Sequence, residues 1–452
     1  MTRFVESERL LRGVTRVLMS VSGGPDSLAV LFLLCRLRER LSFELVAAHF
    51  DHQLREDSAA DRAWVRELCG ALGIDCLTAE GDVSSFARER RIGIEEAARI
   101  LRYRFLAFAA GKQVADCVAT GHTADDQAET VLMHILRGSG IRGLRGMLPS
   151  AQVPGAPAMR LIRPGLPVSA SETASICEVT GVEPRRDPSN HDMSYLRNRI
   201  HHETLPALRN INPAVDDSLR RLGAHAREAF RPVERAAEGL RPLERGEVGA
   251  LYSLAEFRAL PAEARTLVVE RELAAAKLEP NVNSTLIRNL DQVLRAGRGR
   301  VHFGEGEVEA SAGTVRVGPS VEDEEQEAVV LNVPGTTVAG SWRVLVASTP
   351  WPEEGAVNGI TPDGVLRARA PGPADRVLVR GRRRRLKRIV AEEQVPAWER
   401  RRALVVTDSR GIVAAASPSG WRCGGGERPD GLSLRFERIA GAAPTGPHGR
   451  GT

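Results

Sequence analysis

Two stretches carry side chains whose types and spacing could do chemistry: Ser22-Gly23-Gly24-Pro25-Asp26-Ser27 and Gly121-His122-Thr123-Ala124-Asp125-Asp126-Gln127-Ala128-Glu129-Thr130. In the first, two glycines let successive backbone N–H groups point at one spot. Ser22 and Ser27 add hydroxyls, and a helix beginning there supplies positive potential. That is a cradle shaped for phosphate. It is not G-x-x-x-x-G-K-[ST], because no lysine follows the glycines, nor is it G-x-G-x-x-G. The carboxylate of Asp26 repels phosphate unless a cation lies between them, which points to Mg²⁺ bridging Asp26 to pyrophosphate oxygens. In the second stretch, a helix starting near Ala124 puts Asp126 and Glu129 on one face, with His122 on the loop before it. These are residue types suited to acid–base work. Each stretch also has a plainer reading, a Gly-rich turn capping a helix and an acidic first turn favoured by the helix dipole. Taken alone, the second plain reading would win.

The elements around these stretches decide between the readings. Val17 to Val21 is an apolar run fit for a buried strand, and Ser27 to about Arg38 an apolar run long enough for a helix. Phe43 to Phe50, Asp75 to Ala79 and Asp116 to Thr120 read as further strands. Between them lie a helix with Trp64, Val65, Leu68 and Leu72 on one face, and another from about Ile94 to Ala110. Strands alternating with helices of this length predict an α/β fold, a doubly wound parallel sheet covered on both faces. Ligands then lie at the carboxyl ends of the strands, where both stretches fall. Arg137-Gly138-Ser139-Gly140-Ile141-Arg142-Gly143 contains G-x-G-x-x-G but follows a helix, so it is read as a loop and not a dinucleotide site.

Further along, the text from about Pro213 to Leu294 turns helical and Ala/Leu/Arg-rich, with helices expected over Glu263 to Leu278 and Val282 to Leu294. Arg300 to Val317 alternates around glycines like a hairpin, and Val321 to Glu327 is an acidic linker. The expected division is a catalytic domain at 1–212, a mainly helical substrate-binding domain at 213–320, a small α+β domain at 328–440 and a disordered tail at 441–452.

The 452 residues carry a formal charge of only +5, yet lysine occurs just at Lys112, Lys277 and Lys387, so nearly every base is arginine. Arginine suits phosphate, although a GC-rich genome choosing Arg codons explains the bias equally well. Placement says more. From Arg376 to Arg402 eleven basic residues face Glu392, Glu393 and Glu399, a local +8 and a footprint for nucleic acid, with Arg383, Arg384, Arg385, Lys387 and Arg388 at its centre. Six cysteines are scattered without a C-x-x-C pair or zinc spacing. No apolar run reaches about 18 residues, and the first residues lack a signal-peptide core, so no membrane and a cytoplasmic location are expected.

The loop at 22–27 resembles the S-G-G-x-D-S signature of PP-loop ATP pyrophosphatases. The resemblance narrows with His49-Phe-Asp-His-Gln-Leu-Arg55, Glu96-Ala-Ala-Arg-Ile-Leu-Arg-Tyr103, the 121–130 stretch, Arg137-Gly-Ser-Gly140, and Asp187-Pro-Ser-Asn190 with Arg197-Asn-Arg199. In this order they look like tRNA(Ile)-lysidine synthases. Leu386-Lys387 and Val395-Pro-Ala-Trp398 resemble, more loosely, that family's C-terminal tRNA-binding domain. Gln53 stands where the family usually has Gly, and Pro371 to Arg376 looks like its Pro-Gly-Asp-Arg with residues inserted.

The resemblance implies an ATP-dependent ligase. ATP would adenylate the C2 oxygen of the wobble cytidine in an isoleucine tRNA with a CAU anticodon, and free lysine would displace AMP to give lysidine. It assigns lysine binding and amine activation to Asp126 and Glu129. Contact with ATP phosphate or the adenylate goes to His122 and Arg199, with Arg197 behind them, and adenine reading to the backbone at Ala48 to Phe50. A homodimer is left open. The rivals are a PP-loop tRNA thiolase, for which paired cysteines are wanting, and a nucleotide-regulated tRNA-binding protein without catalysis.

Overall fold

The structure, a computed structural model, describes residues 1–54, 58–185, 193, 195–279, 282–323, 327–351, 356–379, 382–424 and 431–439. Arg55, Asp187 to Asn190, Arg380 and the expected tail at 441–452 lie outside them. Two compact units divide at Pro232, inside a long helix and not at the expected 212. Residues 233–320 and the C-terminal segment fall in one unit.

The first unit begins with α1 (Thr2–Ser7), β1 (Arg16–Ser20), α2 (Pro25–Leu41), β2 (Glu44–Asp51), α3 (Ser58–Ala71) and β3 (Cys76–Glu80). It continues with α4 (Val83–Arg90), α5 (Ile94–Lys112), β4 (Cys117–Ala119), α6 (Ala124–Leu136), α7 (Ile141–Leu144), β5 (Ser150–Val153), β6 (Ala156–Ile162) and α8 (Ala170–Thr180). After these come α9 (Leu196–Arg199), a π-helical turn over Ile200–Thr204, α10 (Leu205–Ile211) and α11 (Val215–Gly239). The strands form one sheet in the order β3-β2-β1-β4-β6-β5. All its pairings are parallel except that of the edge strand β5, which runs antiparallel to β6. Sequence periodicity did not anticipate β5 and β6. They are half exposed along much of their length and interrupted by a turn at Gly155, so the apolar signal is weak.

Both faces of the sheet are covered. Val17, Met19 and Val21 pack with Leu28, Leu31 and Leu34 of α2, whereas Leu18 faces Tyr103, Leu106 and Ala109 of α5. Alternate side chains of one strand therefore serve two cores, the reason β1 reads as an unbroken apolar run.

Strand order reverses between β1 and β4. The connection leaving β1 leads to β2 on one side, and that leaving β4 leads toward β6 on the other, so the crevice of a doubly wound sheet opens there. Register aligns Val17, Leu18 and Met19 with Cys117, Val118 and Ala119. The two strands thus end side by side. Gly121 then passes so close to the first turn of α2 that a Cβ on it would lie 2.6 Å from the Ser27 Cα. Gln53 adopts φ +50°, a left-handed conformation that costs a side-chain-bearing residue about 1–2 kcal/mol. That explains why glycine suits the position.

In the second unit, the alternation over Arg300 to Val317 folds into strands as the sequence predicts, and two more, Glu244–Gly246 and Gly249–Ser253, lie in the Ala/Leu/Arg-rich stretch expected to be helical. Five short strands (Glu244–Gly246, Gly249–Ser253, Gly299–Phe303, Gly306–Ser311, Thr314–Pro319) form an antiparallel sheet packed by helices Ala262–Ala275 and Ser284–Ala296. A seven-stranded and a four-stranded sheet make up the rest. The middle sheet joins them through a buried ionic cluster. Arg401 pairs with Glu309 through both nitrogens of its fork, at 2.8 Å where the distance is ordinary, and Arg316 with Glu307. Arg402 pairs with Glu247 at 2.6 Å.

Gly121→Ala should destabilise the protein by about 1–3 kcal/mol, the ordinary cost of overpacking, in chemical unfolding. Gly111→Ala in α5, where a Cβ meets open space, should be neutral or stabilising. Equal stability of the two variants would contradict the close approach of Gly121 to α2.

Candidate active site

The loop after β1 takes its shape from its own hydroxyls. Gly23 has φ +88°, Gly24 is the N-cap of α2 and Pro25 its first residue. The Ser27 hydroxyl accepts from the Ser22 N–H at 3.1 Å and from the Ser22 hydroxyl at 3.0 Å, and donates to the Gly24 carbonyl at 3.0 Å. His49 pins the loop from beneath. Its Nδ1–H donates to the Val21 carbonyl at 2.8 Å, and burial lowers its pKa, so it stays neutral. From the other side the Arg185 N–H donates to the Gly23 carbonyl at 2.9 Å.

Asp26 sits in the first turn of α2, and its Oδ1 accepts from the Thr173 hydroxyl of α8 at 2.6 Å. Its pKa is raised, chiefly by burial, with the charges of Asp126, Asp125 and Glu129 adding to it. The phosphate loop and the acidic stretch therefore lie in each other's field. A carboxylate in that position calls for a cation. Its second oxygen accepts no hydrogen bond among the described residues, and one carboxylate with phosphate oxygens and water is a donor set Mg²⁺ takes.

The second stretch folds as its spacing predicts, with Thr123 capping α6. Asp126 divides its oxygens. Oδ2 accepts from the Thr123 N–H at 2.8 Å and its hydroxyl at 3.1 Å, the capping role, while Oδ1 pairs with Arg197. Glu129 is buried, 6 % exposed at the side chain; its Oε2 takes Arg197 Nε at 3.0 Å and its Oε1 lies 2.6 Å from His201 Nδ1. Asp125 is structural, accepting from the Ala170 N–H at 2.7 Å. Packing brings these groups together: Ala128, Val131 and Leu132 of α6 share a core with Ile200, Leu205 and Leu219, which carries Arg197 and His201 over the carboxylates.

His122 lies 2.8 Å from the Thr120 hydroxyl through Nδ1. Burial pulls its pKa down to about 3, with Arg163, Arg102 and Arg197 helping and Asp126 opposing. It acts as a neutral hydrogen-bonding group, not as an imidazolium.

The PP-loop domain family matches residues 1–208, and the TilS substrate C-terminal domain family matches residues 365–426. A tRNA(Ile)-lysidine synthase of Geobacillus kaustophilus is 32% identical over 91% of this chain and 92% of its own length. The chain belongs to the tRNA(Ile)-lysidine synthase family. The synthase of Dehalococcoides mccartyi is 34% identical over 66% of this chain and 65% of its own. A Clostridium perfringens synthase is 38% identical over 48% of the chain and 46% of its own. As a PP-loop member of this family the protein is an ATP-using ligase of tRNA modification.

Against the residues expected for such a synthase, Ser22 to Ser27, His122, Asp126 and Glu129 converge on one rim. Arg199 does not join them. Its side chain is 60 % exposed, and its Nε lies 3.6 Å from Glu203 on the surface. Arg197, expected on phosphate, holds the two carboxylates instead. The reason is helical: two residues apart on α9, the two arginines point to different sides. The backbone at Ala48 to Phe50 is only partly available, since the Ala48 carbonyl accepts the Val21 N–H at 2.9 Å; past it, β1 has ended. Thr173, Arg185 and His201 were not among the expected residues, because nothing local marks a partner some 70 to 160 positions away.

In the second unit the basic stretch is less charged outward than its count. Arg401 and Arg402 face inward as ion pairs, and Arg384 and Arg388 share Glu392, Arg388 Nε at 3.0 Å. Arg383 donates to the Arg410 carbonyl at 2.7 Å. Arg385 and Lys387 are exposed and form no ion pair among the described residues.

NMR of the imidazole rings offers a check. His122 should show no titration between pH 5 and 8, because its folded pKa lies far below the ordinary value near 6.5. The unfolded chain takes up that proton and the folded one does not, so this residue costs stability progressively as pH falls from about 6.5 toward 3. A midpoint near 6.5 would remove its buried, neutral character.

Proposed function

We propose that the rim between β1 and β4 grips ATP by its pyrophosphate and holds free lysine beside it, so that the wobble cytidine is adenylated and then aminated in one place. The observation supporting this is the contact of Gly121 with Ser27, with Asp26 and the Asp126/Glu129 pair in one electrostatic field. In the first step the loop N–H groups hold the β and γ phosphates, in a backbone shape that the Ser22 and Ser27 hydroxyls fix. Asp26 would hold Mg²⁺, which would supply charge neutralisation at the leaving pyrophosphate. Neutral His122 donates a hydrogen bond toward the α-phosphate or the adenylate.

In the second step Asp126 and Glu129 receive the lysine ε-ammonium. Arg197 supports this reading, because its guanidinium already bridges the two carboxylates. Glu129, the more buried, takes the proton that frees the amine to attack C2 and expel AMP. The basic surface around Arg383 to Arg388 engages the tRNA phosphates.

Asp126→Asn keeps an acceptor for the helix cap, so the fold survives while lysine incorporation into a CAU-anticodon isoleucine tRNA should drop by about 10² or more. Near-normal turnover would take Asp126 out of the mechanism. Asp26→Ala should weaken Mg·ATP binding in calorimetry, and unaltered affinity would leave the metal without its ligand. Joint neutralisation of Arg383, Arg384 and Arg385 should weaken tRNA binding and lower the salt slope by roughly one per lost phosphate contact. An unchanged slope returns the stretch to ordinary solvated surface.

A further inference from the structure

We propose that His201 is the proton outlet of Glu129 in the amine-attack step, a role that rests on the reading of Glu129 as the base. Glu129 is enclosed, and both its oxygens are engaged, Oε2 by Arg197 and Oε1 by His201 Nδ1 at 2.6 Å. A carboxylate so placed cannot hand a proton to water directly. Arg197 cannot take it, since a guanidinium has no acceptor. His201 can, because its side chain is 52 % exposed and carries a second nitrogen.

The groups facing His201 are Glu129 and Asp125 of α6, Arg209 of α10 and the ring of His202, edge-to-face at 4.6 Å. The bond to Glu129 is the largest influence and raises the His201 pKa; Asp125 adds to it, while partial burial and Arg209 oppose. The ring is thus more basic than a free imidazole and exposes its second nitrogen to water.

The step balances as follows. One proton leaves the lysine ε-ammonium for Glu129; the neutral Nε2–H tautomer of His201 accepts it at Nδ1 as the Nε2 proton passes to water, and the ring regains its Nδ1–H tautomer by exchange with solvent. The amine lone pair forms the C2–N bond, and the C2–O bond breaks with its electron pair on the departing AMP oxygen. A second proton leaves the new nitrogen by the same route. His201 touches no substrate and acts through Glu129.

The test uses the full-length enzyme in single turnover with ATP, labelled lysine and a CAU-anticodon isoleucine tRNA transcript. His201→Ala should slow lysine transfer roughly 10²-fold, abolish the acid limb of the rate–pH profile, and recover part of its rate with added imidazole. His201→Asn, which keeps a hydrogen bond for Glu129, should stay slow. The proposal is overturned if His201→Ala transfers lysine at the wild-type rate, if imidazole restores nothing, or if Asn restores the rate. Glu129→Gln separates the two levels. Full turnover in that variant sinks the reading of Glu129 itself, whereas a dead Glu129→Gln beside a fast His201→Ala sinks only the relay.

Discussion

The side-by-side ending of β1 and β4 is the constraint on which the rest depends. Parallel neighbours whose connections depart in opposite directions leave a crevice at their carboxyl ends. Here the register stops both strands at nearly the same height. Gly121 then lets the second loop lie against the backbone of Ser27. Without that contact the phosphate cradle and the acidic pair would be two unrelated helix starts, each with a plain explanation. With it, the negative charges of Asp26, Asp126 and Glu129 are forced into one field, an arrangement that makes sense around a polyphosphate with its cation and an ammonium group.

The charge arrangement on that rim is deliberately incomplete. Asp126 spends one oxygen on its own helix cap and offers the other to Arg197, while Glu129 is shared between Arg197 and His201. A buried carboxylate without partners would be costly, and these partners keep the pair tolerable in the absence of substrate. A single guanidinium thus spans both acids, with His201 as a second partner of Glu129. His122, by contrast, is kept neutral by burial, so the rim gains a hydrogen-bonding group without a further positive charge.

The second unit shows the same logic turned to architecture. Glu307, Glu309 and Arg316 are buried, and their ion pairs with one another and with the partly buried Arg401 connect the middle sheet to the C-terminal segment. Breaking such a cluster by removing one partner strands a charge in a low-dielectric interior. Two arginines that a charge count assigns to a nucleic-acid surface, Arg401 and Arg402, are thus committed to holding the unit together. Arg385 and Lys387 stay exposed without an ion pair among the described residues.

The sequence by itself determined the elements and the chemistry carried within them. Apolar runs of strand and helix length gave β1 to β4, α2, α5 and α6, and the spacing of Asp126 and Glu129 gave a shared helical face, because these are local periodicities. It did not determine which arginine meets the acids, that His201 touches Glu129, that Thr173 holds Asp26, or that Arg401 and Arg402 turn inward. Nor did it determine β5 and β6, or the strands Glu244–Gly246 and Gly249–Ser253, whose short runs carry little pattern. Those outcomes are contacts between residues far apart in the chain, and only the packing of α6 against the π-helical turn and α10, and of α2 against α8, decides them.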